Sequence, residues 1–273
     1  MPVVVFKFYS MKASVDVVIP VYNGRMTICQ SITSVLAQKS IFSGRIIVVD
    51  DGSTDGTSDS ILNMGCAEVE LVRTENRGVA AARNLGVELA TAEWIAFIDS
   101  DDLWEPNKLA LQLQAADDYG VGFICGAVST GAVKLTGPIS AISLWRGNFI
   151  ATSSVLVRRE ILQHISPPFM VGMPFAEDYL SWLKCLTLCR GYYLSSNLVT
   201  YVLSPYPRYR WGQILYNLVR VNILYGAFLR STSLAPSKCA GLRFLLGLGT
   251  LLSFGSILGR FMRAFIFEVR LKL

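Results

Sequence analysis

The sequence contains a single histidine, His164, among its 273 residues. That excludes a metal site built from several histidines. The six cysteines are scattered apart from Cys185 and Cys189, which could share one helix face but have no histidine or second cysteine pair near them to complete a zinc site. This usage is typical of reduced cysteines packed inside a cytosolic protein. A secretory signal peptide is not expected either, because the opening run 3–8 has no small-residue cleavage site and is followed by Lys12.

Acidic residues are almost missing from the last quarter of the chain. Residues 205–273 carry ten lysines and arginines but one acidic residue, Glu268, whereas residues 1–204 carry 15 basic and 19 acidic residues. Long uncharged apolar runs are also scarce: residues 244–259 are uncharged, but a bilayer span needs about 20 apolar residues. The pattern predicts a soluble front domain followed by a basic, apolar helical segment that associates with a membrane surface. Packing of these helices on the front domain and a true membrane span are the alternatives.

The most informative stretch of the chain ends on carboxylates. Residues 95–98 form a short apolar run that stops at Asp99, Asp101 and Asp102. This pattern is typical of a buried parallel strand that ends at the carboxyl edge of a sheet, where open α/β folds bind ligands. Carboxylates this close together repel one another unless a cation shares them, and their hard oxygens suit Mg²⁺ or Mn²⁺ together with substrate phosphates. The alternative is an acidic turn in which Asp102 caps a helix.

Two earlier strands also run into polar clusters. The β-branched residues 15–19 are expected to form a strand that ends at Pro20, because proline cannot continue a central ladder. A second strand, residues 46–49, leads into the acidic loop 50–57. Further strands are predicted at residues 69–73 and 121–128, and helices at about residues 26–38 and 58–64, from residue 76 onward, and from after Pro106 to about residue 118. Strands that alternate with helices predict right-handed βαβ units and a mostly parallel sheet with a site at one edge.

The helix that opens at residue 76 begins with small residues and two arginines. Gly78 and the alanines after it permit close backbone approach, so Arg77 and Arg83 could lie near a phosphate at the helix N-terminus. The alternative is an ordinary small-residue helix whose arginines are solvated. Taken alone, these residues favour the ordinary helix with solvated arginines.

Four motifs together carry a family resemblance. Residues 20–23, 48–57, 76–86 and 98–102, in this order and spacing, resemble the inverting family 2 glycosyltransferases of the GT-A fold. The resemblance extends over about residues 14–200. It implies an α/β fold with a Rossmann-like, mostly parallel central sheet flanked by helices. It also implies that the strand-end clusters bind a nucleotide-sugar, usually UDP-linked.

The resemblance assigns roles to individual positions. It implies that Tyr22 packs on the base, that Asp51 hydrogen-bonds the base or the ribose, and that Arg83 lies near the base or the phosphates. Asp99 would contact the ribose, and Asp101 would bind the Mn²⁺ or Mg²⁺ that bridges the diphosphate and neutralises the leaving group as a Lewis acid. The other nucleotide-sugar-binding positions are Pro20, Asn23, Asp50, Gly52, Ser53 and Ser100.

Two later segments resemble the acceptor half of the family. Residues 145–160 resemble a loop followed by a strand beside the donor sugar, with an ordinary edge strand as the alternative. Residues 175–183 resemble the family's Glu-Asp motif at a helix start. Because an inverting transfer is a single displacement, one carboxylate must accept the proton of the acceptor hydroxyl. Asp178 is the predicted base, and Glu177 is the second choice or an acceptor contact; a pair that merely favours the helix dipole is the alternative.

Two segments depart from the family pattern. Residues 167–174 replace the usual Gly-Phe-Asp-Glu-like segment, so the acceptor region is expected to be distinctive. Residues 207–211 keep the Arg-Trp of the Gln-x-x-Arg-Trp element of processive synthases but have proline where glutamine is expected. This favours transfer of one sugar per acceptor.

The sequence therefore predicts three regions. Residues 1–13 form an N-terminal extension, with Met1 or Met11 as the start; residues 14–204 form the GT-A domain, and residues 205–273 the membrane-associating segment. Within the domain, residues 14–118 would bind the nucleotide-sugar and residues 119–204 the acceptor.

The predicted activity is metal-assisted, inverting transfer of one sugar to a lipid-linked saccharide at the cytoplasmic face of the inner membrane, in cell-surface polysaccharide synthesis. One alternative is a non-catalytic membrane scaffold with the same fold. Another is a sugar nucleotidyltransferase, although residues 20–23 are not the glycine-rich phosphate loop typical of those enzymes. Nucleic acid is not expected as a partner, because the basic residues lie among apolar ones and form no polar stripe.

Overall fold

The computed structural model describes residues 13–129, 135–173, 176–200 and 211–231. The chain divides into two compact units, Met1–Arg208 and Tyr209–Leu273. Several predicted features lie outside the described residues: nearly all of the N-terminal extension, the boundary after residue 204, the segment 207–210 and the uncharged run 244–259.

The strands and helices alternate along the first unit, as the sequence predicts. The strands are β1 (Ala13–Val21), β2 (Phe42–Ser43), β3 (Ile46–Asp50), β4 (Val69–Arg73), β5 (Trp94–Phe97), β6 (Leu103–Trp104), β7 (Phe123–Val128), β8 (Gly137–Ile139), β9 (Leu156–Arg158) and β10 (Gly191–Thr200). The helices are α1 (Ile28–Leu36), α2 (Thr57–Leu62), α3 (Val79–Leu89), α4 (Lys108–Tyr119), α5 (Ala141–Trp145), α6 (Arg159–Gln163) and α7 (Glu177–Leu188). A 3₁₀ turn, Thr152–Ser154, lies between α5 and β9.

Among the described residues, ten strands form one mixed sheet. Its order is β4-β3-β1-β5-β9-β7-β10-β6, with β2 paired to β1 and β8 paired to β10. The first four strands in this order are mutually parallel. β9 runs antiparallel to both of its neighbours, β5 and β7. This architecture confirms the predicted α/β fold with a mostly parallel sheet flanked by helices.

The parallel strands at the centre of the sheet form the core. β3 and β5 are buried over their whole length, and β1 is buried from Val15 to its end. Their sequences are therefore mostly apolar instead of alternating, with Asp16 inside β1 and Asp50 at the end of β3 as the buried acidic exceptions. Helix α3 packs directly on β1, where a Cβ on Gly86 would lie 2.3 Å from Val18 Cγ1. A glycine is needed for this close approach, which brings α3 against the strands whose ends carry the polar clusters.

β1 does not end at Pro20, as predicted, but continues to Val21. The N–H of Val17 points toward β3, where it donates to Arg45 O (2.9 Å), and the direction of the N–H alternates along a strand. The Pro20 nitrogen therefore faces the β5 side, where pairing stops at Val18. Proline is tolerated because the ladder on that side has already ended.

Two alternative interpretations of the sequence are wrong. β9 is an interior strand between β5 and β7 instead of an edge strand; a three-residue strand is too short for its periodicity to show this. Asp102 does not cap a helix: it leads into β6, and α4 begins at Lys108 with Asn107 as its N-cap residue. The Asp102 side chain instead accepts a hydrogen bond from Ser153 Oγ.

The second unit contains one described helix, α8 (Trp211–Ser231). It lies within the segment 205–273, for which the sequence predicts helices, so the helical conformation is confirmed over residues 211–231. Across the described ranges, no helix is both long enough and apolar enough to cross a bilayer.

Candidate active site

The loops that follow β1 and β3 are joined by hydrogen bonds. Asn23 N donates to Ser53 Oγ (2.8 Å), and Asn23 Oδ1 accepts from Thr54 N (2.8 Å). Gly24 N donates to Thr57 Oγ1 (2.9 Å). Asn23 has φ +52°, a conformation that asparagine tolerates better than most residues. Asn23 and Ser53, which the sequence assigns to nucleotide-sugar binding, therefore hold the two loops against each other.

The two neighbouring acids at the end of β3, Asp50 and Asp51, accept hydrogen bonds from backbone amides. Asp50 is fully buried and accepts hydrogen bonds from Ser53 N (2.8 Å) and Ser58 Oγ. Asp51 is 4% exposed, and its two oxygens accept from Arg77 N and Gly78 N, each at 2.8 Å. Asp51 thus fixes the loop that opens α3. Oδ1 also accepts from Thr74 Oγ1 (3.5 Å), whereas Oδ2, among the described residues, accepts only from Gly78 N and can take one further donor, so the contact of Asp51 with a base stays a prediction.

Glycine and serine positions lie beside the same loops. Gly52 has φ +79°, and a Cβ there would lie 2.9 Å from Asn76 N, so only glycine allows the loops after β3 and β4 to meet. A Cβ on Gly24 would lie 3.4 Å from Ser100 Oγ, which places Ser100 beside the turn after β1. Tyr22 on that turn is 52% exposed, and its ring is accessible for packing on a base.

Arg83 lies at the centre of the site, between carboxylates from distant parts of the chain. It is 4% exposed; NH2 donates to Asp99 Oδ1 and NH1 donates to Glu177 Oε1, both at 2.7 Å. Burial opposes its charge, but Asp99, Glu177 and Asp178 together raise the pKa of Arg83. Within the described residues its Nε has no hydrogen-bond partner. The structure therefore places Arg83 between two carboxylates, and its contact with a base or a phosphate stays a prediction.

The three acids after β5 have different surroundings. The side chain of Asp99 is 31% exposed, so its carboxylate is still accessible beside Arg83. Asp101 is half-buried. Asp102 is 1% exposed and accepts from Ser153 Oγ, which also receives the N–H of Asp99 (3.0 Å). Asp102 therefore holds residues 99–102 in place through Ser153, while Asp99 and Asp101 are the two acids that are accessible to a ligand.

Helix α7 carries the Glu-Asp pair in its first turn. Its N-cap residue, Ala176, has φ +65°, a strained conformation for alanine. Glu177 is 6% exposed; burial and the neighbouring Asp178 raise the pKa of Glu177, and Arg83 opposes the shift. Asp178 is half-buried, and its Oδ2 accepts from Thr152 Oγ1 at 2.9 Å. The two acids thus differ: one is buried in an ion pair and the other is more accessible.

The 3₁₀ turn Thr152–Ser154, which we call the hydroxyl turn, was not assigned a role from the sequence. Thr152 and Ser153 are buried, and their hydroxyl groups contact Asp178 and Asp102 respectively. The only feature in the sequence that could have identified this turn is its run of three hydroxyl residues inside the 145–160 motif. That run does not indicate which carboxylates the hydroxyl groups contact.

Comparisons with known proteins agree with this architecture. Residues 16–173 match the family model "Glycosyl transferase family 2". The chain is 30% identical over 205 residues to WfgD of Escherichia coli, a UDP-Glc:alpha-D-GlcNAc-diphosphoundecaprenol beta-1,3-glucosyltransferase, covering 68% of this chain and 79% of the relative. It is 31% identical over 183 residues to WfaP, an E. coli protein of the same activity, covering 63% of this chain and 70% of WfaP.

Solved structures share the fold. The complex of S. aureus TarS 1–349 with UDP-GlcNAc superposes with a TM-score of 0.69 at 20% identity, over 84% of this chain and 69% of TarS. The mannosyltransferase PcManGT from Pyrobaculum calidifontis, in complex with GDP-Man and Mn²⁺, gives a TM-score of 0.59 at 18% identity, over 91% of this chain and 81% of PcManGT. The family match favours an enzyme over the scaffold and nucleotidyltransferase alternatives. The chain belongs to glycosyl transferase family 2 and is a glycosyltransferase with the GT-A fold.

Proposed function

We propose that this glycosyltransferase moves one sugar from a UDP-linked donor to a hydroxyl group of a lipid-linked saccharide, with inversion at the anomeric carbon. The observation that carries the proposal is the meeting of two sets of carboxylates at Arg83: Asp99 from the nucleotide half and Glu177, next to Asp178, from the acceptor half. The names of the two E. coli relatives supply the donor class and the lipid-linked acceptor class.

In this mechanism Asp178 is the general base. The acceptor oxygen attacks the anomeric carbon as Asp178 takes its proton, and the bond between that carbon and the UDP oxygen breaks. Three features support Asp178 over Glu177: Asp178 is more exposed, the Thr152 hydroxyl orients it, and Glu177 is already paired with Arg83. The assigned role of Glu177 is therefore to hold Arg83, and through it Asp99, in place.

Asp101 fits a divalent cation in combination with the donor, and Asp99, paired with Arg83, is assigned to the ribose. Within the described residues no group of three or more His, Cys, Asp or Glu side chains is arranged to hold a metal ion without further ligands. Mg²⁺ and Mn²⁺ are commonly bound by one or two carboxylates, with waters and substrate phosphates completing the shell, and the accessible Asp101 supplies such a carboxylate. The cation would neutralise charge on the departing diphosphate.

The acceptor chemistry suggests where the enzyme works. A saccharide on a lipid diphosphate is confined to a membrane, so we assign the reaction to the cytoplasmic face of the inner membrane during cell-surface polysaccharide synthesis. The basic, apolar segment 205–273 would bind the anionic surface. Proline in place of glutamine at residue 207 supports transfer of one sugar per acceptor.

The donor assignment predicts metal-dependent binding of UDP. In calorimetric titrations with Mn²⁺, UDP is expected to bind while GDP, CDP and dTDP bind more weakly. EDTA or Asp101→Ala should abolish the binding, because the cation that would neutralise the diphosphate is removed in the first case and loses its proposed protein ligand in the second. Asp59→Ala, which removes an exposed acid on α2, is the matched control and should bind like the wild type. UDP binding of equal strength in EDTA would contradict the metal assignment, and no nucleotide binding by folded protein would contradict the donor site.

A further inference from the structure

The hydroxyl turn joins the two halves of the site. Thr152 Oγ1 donates to Asp178 Oδ2 (2.9 Å), at the start of α7. The adjacent Ser153 accepts the Asp99 N–H (3.0 Å) and donates to Asp102, at the end of β5. Thr152 and Ser153 are 5% and 0% exposed. Two neighbouring side chains on one turn therefore contact both the proposed base and the segment that carries the donor-side acids.

Buried side chains hold the turn itself in place. Trp104 Nε1 donates to Ser153 O (3.0 Å), and Gln112 Nε2 donates to Ser154 O (2.8 Å). Gln112 in turn accepts from Lys108 Nζ (2.7 Å), and burial lowers the pKa of Lys108 well below its ordinary value. Lys108 and Gln112 are fully buried. A polar network inside the core thus holds the backbone of the hydroxyl turn. Buried polar networks whose members are hydrogen-bonded make the groups that they join rigid.

The contact with Thr152 limits how the Asp178 carboxylate can turn. Its Oδ1 accepts from Tyr179 N (2.6 Å) on its own helix, and its Oδ2 accepts from Thr152 Oγ1. Rotation of the carboxylate would break at least one of these bonds. A general base must present one oxygen to the acceptor hydroxyl at hydrogen-bond distance, and small misplacements of a reacting group are costly in rate.

We propose that Thr152 is a positioning residue that fixes the orientation of the Asp178 carboxylate relative to the donor-side acids held by Ser153. The inference rests on the proposed function, in which Asp178 is the base. It predicts that the Thr152 hydroxyl matters for the chemical step and not for binding the donor. It also predicts that its effect requires the carboxylate of residue 178.

Steady-state kinetics of four variants test the inference. Thr152→Val keeps the shape of the side chain but removes the hydroxyl, and it is expected to lower kcat about 10- to 100-fold with little change in KM for the donor or in UDP affinity. Thr152→Ser keeps a hydroxyl group that can donate the hydrogen bond to Asp178, and it should recover most of the rate. Thr187→Val, the same substitution on α7 at a hydroxyl that bonds to Leu183 O (2.8 Å), is the matched control and should leave kcat unchanged. In an Asp178→Asn background, Thr152→Val should cause no further loss.

The outcomes separate the inference from the function on which it rests. A transferring wild type in which Thr152→Val keeps full kcat, or in which Thr152→Ser fails to recover the rate, would overturn the positioning role alone. A further loss of kcat from Thr152→Val in the Asp178→Asn background would also overturn it, because Thr152 would then act independently of the base. A folded wild type that binds UDP but transfers no sugar would overturn the proposed function and the positioning role together.

Discussion

Replacing Asp178 with asparagine is expected to lower kcat about 10²–10⁴-fold, while the affinity for UDP stays unchanged. The amide keeps the size of the side chain but cannot accept a proton from the acceptor hydroxyl, and loss of a general base typically costs this much rate. The measurement is release of UDP in the presence of acceptor, combined with calorimetric binding of UDP to the same sample.

Asp59→Asn is the matched control for this substitution. Asp59 lies in the first turn of α2, as Asp178 lies in the first turn of α7, although Asp59 is exposed and Asp178 is half-buried. If the Glu-Asp pair merely favoured the helix dipole, both substitutions would lower stability by about 0.3–1 kcal/mol and neither would affect kcat. A full rate from Asp178→Asn would therefore assign the pair to the helix end and remove the base from the mechanism.

Arg83→Met is expected to lower the free energy of unfolding by about 3–5 kcal/mol, because it leaves the Glu177 carboxylate buried without its cation. Adding Glu177→Gln should recover part of the loss at neutral pH, since the unpaired charge is then gone. The measurement is denaturant unfolding of the single and double variants.

The pH dependence of Arg83→Met has a defined sign. Burial and Asp178 already raise the pKa of Glu177 in the wild type, and removal of Arg83 takes away the opposing interaction. A carboxyl group whose folded pKa is raised contributes stability below its unfolded pKa and loses it as the pH rises through the folded pKa. The penalty of Arg83→Met should therefore shrink as the pH falls.

The control for Arg83→Met is Arg158→Met, which breaks an exposed ion pair with Glu93. Both partners are more than a third exposed, and such pairs contribute about 0–1 kcal/mol. Equal losses of unfolding free energy from Arg83→Met and Arg158→Met would show that the buried ion pairs of Arg83 stabilise the fold no more than an exposed pair does. The ion pairs of Arg83 would then not explain how the two halves of the site are held together.

The sequence predicts the parts of the site that are local. Apolar runs that stop on carboxylates, as at residues 95–102, identify buried strands and their ends because both patterns lie within a few neighbouring residues. Parallel strands place their ends at one edge, so the convergence of loops 20–24, 50–57 and 98–102 follows from the strand pattern. The family resemblance added roles that the residues alone could not assign.

The pairings between distant residues could not be predicted in the same way. Arg83 meets Glu177 across 94 positions, and Thr152 meets Asp178 across 26. An arginine among alanines has the same local pattern whether it is solvated or buried between two acids. Lys108, fully buried under the hydroxyl turn, has no distinguishing pattern at all. Such contacts depend on how α3, α4 and α7 pack on the sheet, which one sequence does not specify.

The chemical structure of the transfer product tests the proposed reaction most directly. Purified protein would be incubated with UDP-glucose, Mn²⁺ and a lipid-diphosphate-linked GlcNAc acceptor, and the product examined by mass spectrometry and by NMR of the anomeric proton. A single displacement on an α-linked donor predicts the addition of one hexose in β linkage. An α-linked product would contradict the single displacement with Asp178 as base. Failure of a UDP-binding wild type to transfer any of a panel of UDP-sugars would contradict the proposed activity.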